Sequence, residues 1–311
     1  MRFSEAVAKT AQQLEAASLS YGQGFQNAED EALRIVYAAS SVDFTEYLSG
    51  EGPPHNLVLN HDARSALQEI TRERILDRKP LAYILKESWF SGKRFYIDER
   101  AIIPRSYFAE WIPEQFRPWV DPSQVETILD LCCGSGCIAI CCALAFPNAT
   151  VIASDISRDA LDVACRNISD YGLQERVRLN NGHMFEGIGQ GFDLIVCNPP
   201  YVSNDRFRTL PPEYRKEPGV AFHGGEDGLD FMLEMLIESE RYVTPNGIIV
   251  VESGTASERL DKMLDNVPLT WLSTEFDEKA LFLLEADQLE SVRRNIIKSL
   301  EIRKPASVNS D

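Results

Sequence analysis

The sequence predicts an α/β fold with a mostly parallel sheet, preceded by a smaller helical domain, and three observations lead to that prediction. From about residue 125, short apolar runs alternate with helical patterns, which is typical of strands joined by crossover helices. A glycine-rich turn at residues 134–136 follows the first of these strands. Before about residue 79 the apolar residues keep a helical spacing, which indicates a separate helical domain.

The helical domain is expected to span residues 1–85 of the 311-residue chain. Its last long helix is predicted to begin at a cap formed by Asp62 and to run to Arg78, because Pro80 follows. The positions of this helix predicted to face the core are Leu67, Ile70, Ile75 and Leu76.

Residues 86–122 change to the two-residue period that is typical of strands. Residues 89–90 and 93–97 flank Ser91-Gly92, and this arrangement predicts a β-hairpin that bridges the helical domain and the next one. A hairpin in that place is well suited to meet a substrate. A purely structural linker accounts for the same pattern equally well.

Residues 123–302 carry the alternating pattern of the α/β domain. The predicted strands and closing segments are residues 125–131, 150–154, 177–179, 192–197, 248–251, 269–276 and 280–285. The predicted helices are residues 138–146, 159–171 and 258–264, with another through Met232 and Met235 to Tyr242. A turn is expected at Asn246-Gly247, and residues 303–311 are expected to form a disordered tail.

Composition limits the classes of function. Acidic residues number 48 and basic residues 31, so the net charge is −17, which argues against a protein that grips nucleic acid over a wide basic face. The charge suits a soluble enzyme or one with a basic partner. The longest apolar run, residues 137–146, is too short to span a bilayer, and the N-terminus lacks the apolar core of a signal peptide. We therefore expect a cytoplasmic protein.

The chain has seven cysteines, and five of them lie between residues 132 and 142. Their spacing contains no pair of Cys-x-x-Cys motifs and no histidine lies nearby, so we expect no metal site. Cys137 and Cys141 are one helical turn apart on a helix predicted to be buried. Reduced cysteines that act as small hydrophobic side chains explain this cluster best.

A glycine turn follows the first predicted strand of this domain, and an acidic residue closes the second. Glycines at 134 and 136 allow the backbone to approach a ligand and leave helix N–H groups free to bind it. Asp155 closes the second strand 19 residues beyond Gly136, where a nucleoside-binding α/β fold holds a ribose hydroxyl. The turn alone also fits the Gly-x-Gly-x-x-Ala dinucleotide fingerprint, so an NAD enzyme is a competing interpretation.

The fourth predicted strand, residues 192–197, stops at Asn198-Pro199-Pro200-Tyr201. Two prolines cannot donate to a sheet ladder and they keep the backbone stiff. The Asn198 amide, the carbonyls of Asn198 and Pro199, and the Tyr201 ring would together hold another planar NH₂ group. A loop that simply breaks a strand is the alternative. A nucleoside site and an amide-holding site on adjoining strand ends favour a methyl donor beside a nitrogen acceptor over a hydride cofactor.

These residues resemble a known family, the class I S-adenosylmethionine-dependent methyltransferases that modify the side-chain nitrogen (N5) of glutamine. The matching segments are residues 130–139, 155–157, 198–202, 213–218 and 224–229, and the resemblance extends over nearly the whole chain. It implies a Rossmann-like, mostly parallel seven-stranded sheet and S-adenosylmethionine as the methyl donor.

Two branches of this family differ in their substrate. One modifies the Gly-Gly-Gln motif of peptide-chain release factors, and the other modifies a glutamine of large-subunit ribosomal protein three. After Pro104-Arg105 the release-factor branch usually has a second proline and an acid, whereas this chain has Ser106-Tyr107. The stretch is similar to the ribosomal-protein branch, which implies a basic ribosomal protein as substrate, with no sequence-specific nucleic acid and no membrane as partner.

The resemblance also implies which residues form the site. The residues it assigns to the donor are Asp130, Cys132, Gly134, Ser135, Gly136, Asp155, Ile156, Phe185 and Asn198. Those it assigns to catalysis are Asn198, Pro199, Pro200 and Tyr201, and those that would contact the substrate are Pro104, Arg105, Asn198 and Tyr201. Glu110 is a further candidate for the donor's ammonium group. Many relatives have an acid for the adenine where this chain has His183-Met184, and neither residue is assigned to the site.

The mechanism that the resemblance implies needs no general base. Acceptors at Asn198 and Pro199 would take the two N–H bonds of the target amide and aim its nitrogen at the methyl group. An adenine-N6 DNA methyltransferase shares such a cradle, but it needs a basic groove and a base-flipping apparatus. A ribosome-assembly module that has lost the chemistry is the alternative outside the enzymes. The intact glycine turn and Asn-Pro-Pro-Tyr segment argue against it.

Overall fold

The structure is a computed structural model that describes residues 1–50, 52–189, 191–264 and 267–303. The chain divides into two compact units: the first comprises Met1–Arg105 and Leu210–Glu217, and the second comprises Ser106–Thr209 and the chain from Pro218 onward. The tail predicted from residue 303 to 311 lies outside the described residues, except that a helix ends at 303. None of the described helices has the length and apolar character needed to cross a membrane.

The first unit is built from helices and one short hairpin. Its elements are α1 Phe3–Ala16, α2 Ala28–Ser40, α3 Phe44–Leu48, α4 His61–Leu76, α5 Leu81–Leu85, β1 Ser88–Phe90 and β2 Lys93–Phe95. Strands β1 and β2 pair antiparallel, which confirms the predicted hairpin. The apolar faces of α1, α2 and α4 meet in one core cluster that includes Leu14, Ile35 and Leu67.

Helix α4 differs from its prediction at both ends. Asn60, not Asp62, is the cap, because its side chain accepts a hydrogen bond from the Ala63 N–H at 2.8 Å. The helix ends at Leu76, whose side chain is 66% exposed instead of facing inward. The buried stripe of α4 consists of Ala63, Leu67, Thr71 and Arg74. Ile70 and Ile75 also pack against the core, as predicted, so the apolar pattern was wrong at Leu76 and missed the two buried polar positions.

Buried charges hold the segment Leu210–Glu217 within the first unit. Glu213 is fully buried; it accepts a hydrogen bond from the Ser20 N–H at 3.1 Å and forms an ion pair with Arg78, whose Nε lies 3.0 Å away. Glu217 accepts from the Ile103 N–H at 3.0 Å and from Arg105 at 2.8 Å. Buried carboxylates are stable only when they are paired in this way.

The second unit contains the α/β fold. Its elements are α6 Phe108–Trp111, β3 Thr127–Leu131, α7 Cys137–Ala145, β4 Thr150–Asp155, α8 Arg158–Asp170, β5 Val177–Asn181, β6 Phe192–Cys197, α9 Asn204–Arg208, α10 Asp230–Ser239, β7 Val243–Glu252, α11 Ser257–Met263, β8 Thr270–Leu272, β9 Leu281–Glu285 and α12 Ala286–Arg303. The predicted strands are all present, and β6 has the predicted bounds. Helices α9 and α12 were not predicted.

The described strands of this unit form a seven-stranded sheet in the order β5-β4-β3-β6-β7-β9-β8. The pairs from β5 to β7 are parallel, and β9 is antiparallel to both β7 and β8. This confirms the predicted α/β fold with a mostly parallel sheet of seven strands. Asn246-Gly247, predicted as a turn before the strand, lies within β7, where the register with β6 shifts between Phe192 and Leu194.

Apolar side chains fill the space between this sheet and its helices. Leu129, Ile195 and Val251 are buried on the sheet, and Leu289, Val292 and Ile296 of α12 belong to the same cluster. Cys137, Cys141 and Cys142 of α7 are buried, as predicted for small hydrophobic side chains. Within the described part of the chain, no group of three or more His, Cys, Asp or Glu side chains is arranged to hold a metal ion.

Candidate active site

The carboxyl ends of four parallel strands bring four residues to the same level of the sheet edge. Leu131 of β3 is in register with Ser154 of β4 and with Cys197 of β6. Cys197 is in turn paired with Val251 of β7. The residues that follow these positions on the four strands are Asp155, Cys132, Asn198 and Glu252, in order across the sheet.

The sheet also reverses its strand order at this edge. From β3 the chain proceeds outward to β4 and β5, then returns to β6 on the other side of β3. In open α/β sheets, ligands bind outside the carboxyl ends of the strands at such a switch point. The geometry therefore identifies the edge between β4 and β7 as the candidate site.

A tight turn joins β3 to helix α7 at this edge. Gly134 and Gly136 have positive φ angles of 53° and 76°. A Cβ atom on Gly136 would approach the Ala164 side chain to 3.1 Å, so a larger residue would strain the turn as well as its φ angle. The turn thus presents backbone atoms where a side chain would otherwise stand, as the sequence predicted for a ligand-binding turn.

Asp155 is rigidly held at the end of β4. Its Oδ2 accepts from the Gly134 N–H at 2.9 Å and its Oδ1 from the Ser157 N–H at 2.8 Å. Burial raises the pKa of this carboxyl, and the two N–H groups oppose the rise. Ionised carboxylate oxygens can accept further hydrogen bonds, and the next side chain, Ile156, is 55% exposed. Oriented acceptors beside an exposed apolar side chain suit the ribose and base of a nucleoside.

Asp130, in β3, plays a different part from Asp155. It is completely buried, and its Oδ2 accepts from the Ala139 N–H at 2.9 Å in the first turn of α7. No hydrogen-bond partner for its Oδ1 is found in the described part of the chain. Burial raises the pKa of this carboxyl, and the Asp155 carboxylate raises it further. Asp130 therefore anchors the helix behind the glycine turn.

Asn198 ends β6 with its polar groups open. The side chain is half-buried, and no hydrogen bond to it is found among the described residues. Pro199 and Pro200 follow, and neither has an N–H to bond with a neighbouring strand. Beyond them the chain is held again, since the Val202 N–H donates to the Phe222 carbonyl at 2.9 Å. A stiff turn therefore presents an amide and carbonyl groups at the edge.

Three glycines make room for this turn. A Cβ on Gly224 would lie 2.8 Å from the Pro200 carbonyl oxygen. On Gly228 it would lie 2.3 Å from the Tyr201 carbonyl oxygen, and on Gly254 it would lie 2.3 Å from the Tyr201 ring. Real Cβ atoms do not approach other atoms so closely, so each position requires glycine for the turn to keep its place. The family resemblance included residues 224–229, and this close packing gives a physical reason for glycine at 224 and 228.

Glu252, at the end of β7, was not predicted as a site residue. It is 2% exposed, and its Oε1 accepts from the Tyr201 hydroxyl at 3.2 Å. Its Oε2 accepts from the Ser106 hydroxyl and from the Tyr107 N–H, the latter at 3.2 Å. Its position directly after the apolar run Ile248–Val251 could have indicated a role, because Asp155 is likewise the last residue of β4.

Three further residues suggested for the donor site contact other parts of the second unit. Ser135 is buried, and its carbonyl accepts from the Asn167 side chain at 2.9 Å. Phe185 is buried too, and its ring stacks on Tyr242 with centroids 4.1 Å apart. The Glu110 carboxylate accepts from the Glu275 N–H at 3.1 Å.

The remaining predicted residues are spread over both units. Cys132 has a positive φ angle of 59° and lies half-buried at the end of β3. Pro104 and Arg105 belong to the first unit, where Arg105 contacts Glu217 and lies over the Tyr214 ring at 5.3 Å. His183 is exposed and meets the Phe231 ring edge-on. The structure therefore groups Cys132 with Asp155 and Asn198, within the second unit.

Comparison with known proteins finds similarity over almost the whole chain. The ribosomal protein uL3 glutamine methyltransferase of Bordetella pertussis is 40% identical over 286 residues, which are 89% of this chain and 93% of the relative. Those of Francisella tularensis and Burkholderia pseudomallei are 40% and 38% identical, with 89% of this chain covered in each case and 88% and 92% of the relatives. The family model described as Methyltransferase small domain matches residues 117–210.

Among solved structures, the ribosomal protein L11 methylase of Lactobacillus delbrueckii subsp. bulgaricus is similar to this chain at a TM-score of 0.38. The two are 16% identical, and the alignment covers 56% of this chain and 74% of that one.

Proposed function

The chain belongs to the ribosomal protein uL3 glutamine methyltransferase family, and from that membership we propose that it transfers a methyl group from S-adenosylmethionine to the side-chain amide nitrogen (N5) of a glutamine in uL3. One observation of the structure carries the proposal. An oriented carboxylate, Asp155, and an open amide, Asn198, end strands on either side of β3 at one level of the sheet. Two strand spacings separate them, about 10 Å.

The donor would be held at the tips of β3 and β4. Asp155 would accept from the ribose hydroxyls, because both of its oxygens are already oriented by backbone N–H groups. The exposed Ile156 side chain would pack on the base, and the turn of Gly134 and Gly136 would face the methionine part. When bound, S-adenosylmethionine supplies a methyl group made electrophilic by its sulfonium sulfur.

The acceptor amide would be held at the tip of β6. An amide nitrogen is a weak nucleophile because its lone pair is delocalised into the carbonyl. The Asn198 side-chain oxygen and the Pro199 carbonyl would accept its two N–H bonds, and Pro200 and Tyr201 would complete the cradle. Such acceptors orient the nitrogen and increase its electron density, and the stiff prolines keep them in place. The nitrogen needs to lose a proton only after it has formed the new bond, so no prior base is required.

Two other substrates remain for comparison. Release factors carry a glutamine that a related branch modifies, but the similar relatives are named for uL3. An adenine in DNA would fit an amide-holding cradle, but the net charge of −17 opposes it. The cytoplasmic location, and contact with neither nucleic acid nor a membrane, are parts of the proposal that rest on the sequence. So are the contacts that Pro104 and Arg105 would make with the substrate.

A tritiated-methyl transfer assay tests the proposal directly. The purified chain would receive labelled S-adenosylmethionine with equal amounts of uL3, a release factor or adenine-containing DNA. We expect label in uL3 alone, on one glutamine identified by mass spectrometry, and none in uL3 with that glutamine replaced by alanine. Label in the release factor or in DNA instead of uL3 would contradict the proposed substrate. No transfer to any of the three would contradict the activity.

A further inference from the structure

Glu252 is a buried carboxylate at the end of an otherwise apolar stretch. Residues Ile248 to Val251 of β7 are all buried, and Glu252 continues them at 2% exposure. Removing a carboxylate from water is costly, and hydrophobic residues in place of buried charges are often at least as stable. Stability alone therefore does not explain a carboxylate at this position, which lies beside the tip of β6.

Two chain segments meet at this carboxylate. On one side, the Tyr201 hydroxyl donates to Oε1 at 3.2 Å. On the other, Ser106 donates its hydroxyl and Tyr107 its backbone N–H to Oε2. The Ser106 hydroxyl also accepts from the Phe108 N–H at 3.2 Å, at the start of α6. Glu252 thus joins the Asn-Pro-Pro-Tyr turn to the segment that leads into α6.

The Tyr201 ring is fixed at two places by the end of β7. Gly254 lies against the ring so closely that a Cβ would be 2.3 Å from it. Glu252 binds the hydroxyl at the ring's far end. A ring held on one face and at its hydroxyl has one orientation, and the Pro199 carbonyl lies on the same stiff turn. The ring is therefore positioned by residues at and just after the end of β7, and it lies on the same stiff turn as the proposed acceptor atoms.

We propose that Glu252 is a positioning residue for methyl transfer. Its carboxylate orients Tyr201, and through Tyr201 the turn that holds the target amide, while Ser106 and Tyr107 orient the carboxylate. The inference deepens the proposed function and rests on it, since it concerns the acceptor side of the same site. It predicts a loss in the rate of transfer with little change in donor binding, because Asp155 is on the other side of β3.

The test compares three conservative variants in steady-state methylation of uL3. Glu252→Gln replaces one acceptor oxygen by an NH₂ group, Tyr201→Phe removes only the hydroxyl, and Ser106→Ala removes the other hydroxyl. We expect kcat to fall about 10- to 100-fold for Glu252→Gln, about ten-fold for Tyr201→Phe and a few-fold for Ser106→Ala. The KM and Kd for S-adenosylmethionine should stay within about two-fold of the parental values.

Coupling between the variants separates positioning from general stability. In the double variant Glu252→Gln/Tyr201→Phe, the Glu252→Gln substitution should lower kcat by a smaller factor than it does in the parental enzyme. The reason is that Tyr201→Phe has already removed the hydrogen bond that the two residues share. Glu285→Gln is the matched control, since Glu285 lies on β9 opposite Ile248, before the end of β7 that carries Glu252, and is exposed. It should leave kcat unchanged.

Each outcome supports or overturns the inference. Parental kcat in both Glu252→Gln and Tyr201→Phe, with uL3 still methylated, overturns it and leaves the proposed function standing. Two further results also overturn it: effects of the two substitutions on kcat that are additive in free energy in the double variant, and a loss of donor affinity as large as the loss of kcat. If Glu252→Gln fails to fold, as judged by thermal unfolding, the kcat of Tyr201→Phe decides alone. If parental enzyme and control do not methylate uL3 at all, the proposed function fails and this inference falls with it.

Discussion

The tips of β4 and β6 stand at the same level of the sheet edge, but their polar side chains are held in opposite ways. Both Asp155 oxygens accept backbone N–H groups, at 2.9 and 2.8 Å. The Asn198 side chain has no hydrogen-bond partner in the described part of the chain. Its order comes from the backbone instead, through two prolines and close packing against Gly224 and Gly228.

The difference indicates how the two tips work. A side chain with existing hydrogen bonds has a fixed direction, so a ligand meets acceptors that are already oriented, at little entropic cost. A side chain that has no hydrogen-bond partner and stands on a stiff backbone can make all its hydrogen bonds with the substrate. We infer that the tip of β4 is built for tight binding of a donor, and the tip of β6 for orienting an acceptor during the reaction.

The largest effect is expected when the open amide of β6 is removed. Asn198→Ala should lower the rate of methyl transfer about 10²–10³-fold, the cost of losing one oriented polar contact in a transition state. Donor affinity should be nearly unchanged, because Asp155 and the glycine turn remain. Single-turnover kinetics at saturating donor, combined with calorimetry of donor binding, measure both quantities.

Two companion variants sharpen this result. Asn198→Asp keeps an acceptor oxygen of similar reach but adds a charge, so we expect partial activity. Asn148→Ala changes an exposed asparagine just before β4, at the opposite edge of the sheet, and should have parental activity. Parental turnover by Asn198→Ala would mean that Asn-Pro-Pro-Tyr only terminates a strand.

The next effect concerns the tip of β4. Asp155→Ala should weaken S-adenosylmethionine binding by about 1–3 kcal/mol, the range for hydrogen bonds to a charged group, or roughly 5- to 150-fold in Kd. Once donor is saturating, the rate should recover most of its parental value, since the acceptor side is intact. Isothermal calorimetry of the folded variant measures the affinity. An unchanged Kd would remove Asp155 from the donor site.

The sequence predicted these two tips well because each is a local pattern. An apolar run cut off by two prolines located the end of β6 to the residue, and an acid after a short apolar run located the end of β4. Glu252 was missed because its partners Tyr201 and Ser106 are 51 and 146 residues away. Only the register of the sheet brings them together.

Misplaced elements have equally specific causes. The inward face of α4 was predicted only in part: Leu67 contacts the core as expected, but the burial of Arg74 was missed, because its charge is neutralised by Glu31, 43 residues away. Helix α12 was missed although Leu289, Val292 and Ile296 have helical spacing, and all three are buried. The segment Leu210–Glu217 lies in the first unit because of Glu213 and Glu217, whose partners a linear pattern does not reveal.

Lowering the pH should affect the tip of β4, which has a carboxylate, and not the tip of β6, which has an uncharged amide. Burial raises the pKa of Asp155, so this carboxyl becomes protonated at a higher pH than an ordinary aspartate. A protonated carboxyl loses acceptor strength. Donor affinity should therefore fall as the pH drops from neutral, with a slope of at most about ten-fold per pH unit, the limit for one proton.

The controls for this pH effect come from both tips. Asp155→Asn cannot titrate at this position, so its weaker donor binding should lose this component of the pH dependence. Asn198→Ala should keep the parental profile, because the acceptor tip has no charge. Calorimetric titrations of the three proteins over the acid range provide the comparison. Identical profiles for Asp155→Asn and the parental enzyme would assign the pH effect to another group.

The smallest effect expected is that of salt, and it again separates the two sides of the site. The net charge of −17 should attract a basic ribosomal protein. Salt screens this attraction, because the Debye length falls from about 30 Å at 0.01 M to about 8 Å at 0.15 M ionic strength. The association rate with uL3 should therefore fall about three-fold or more over this range, as expected for electrostatic steering. Donor binding should change less than two-fold, because close contacts in a partly buried turn are screened less. Stopped-flow measurements of the association of uL3 and of S-adenosylmethionine, each over this range of salt, make the comparison. An association rate with uL3 that does not vary with salt would show that the acidic surface has no part in substrate capture, whichever residues hold the glutamine.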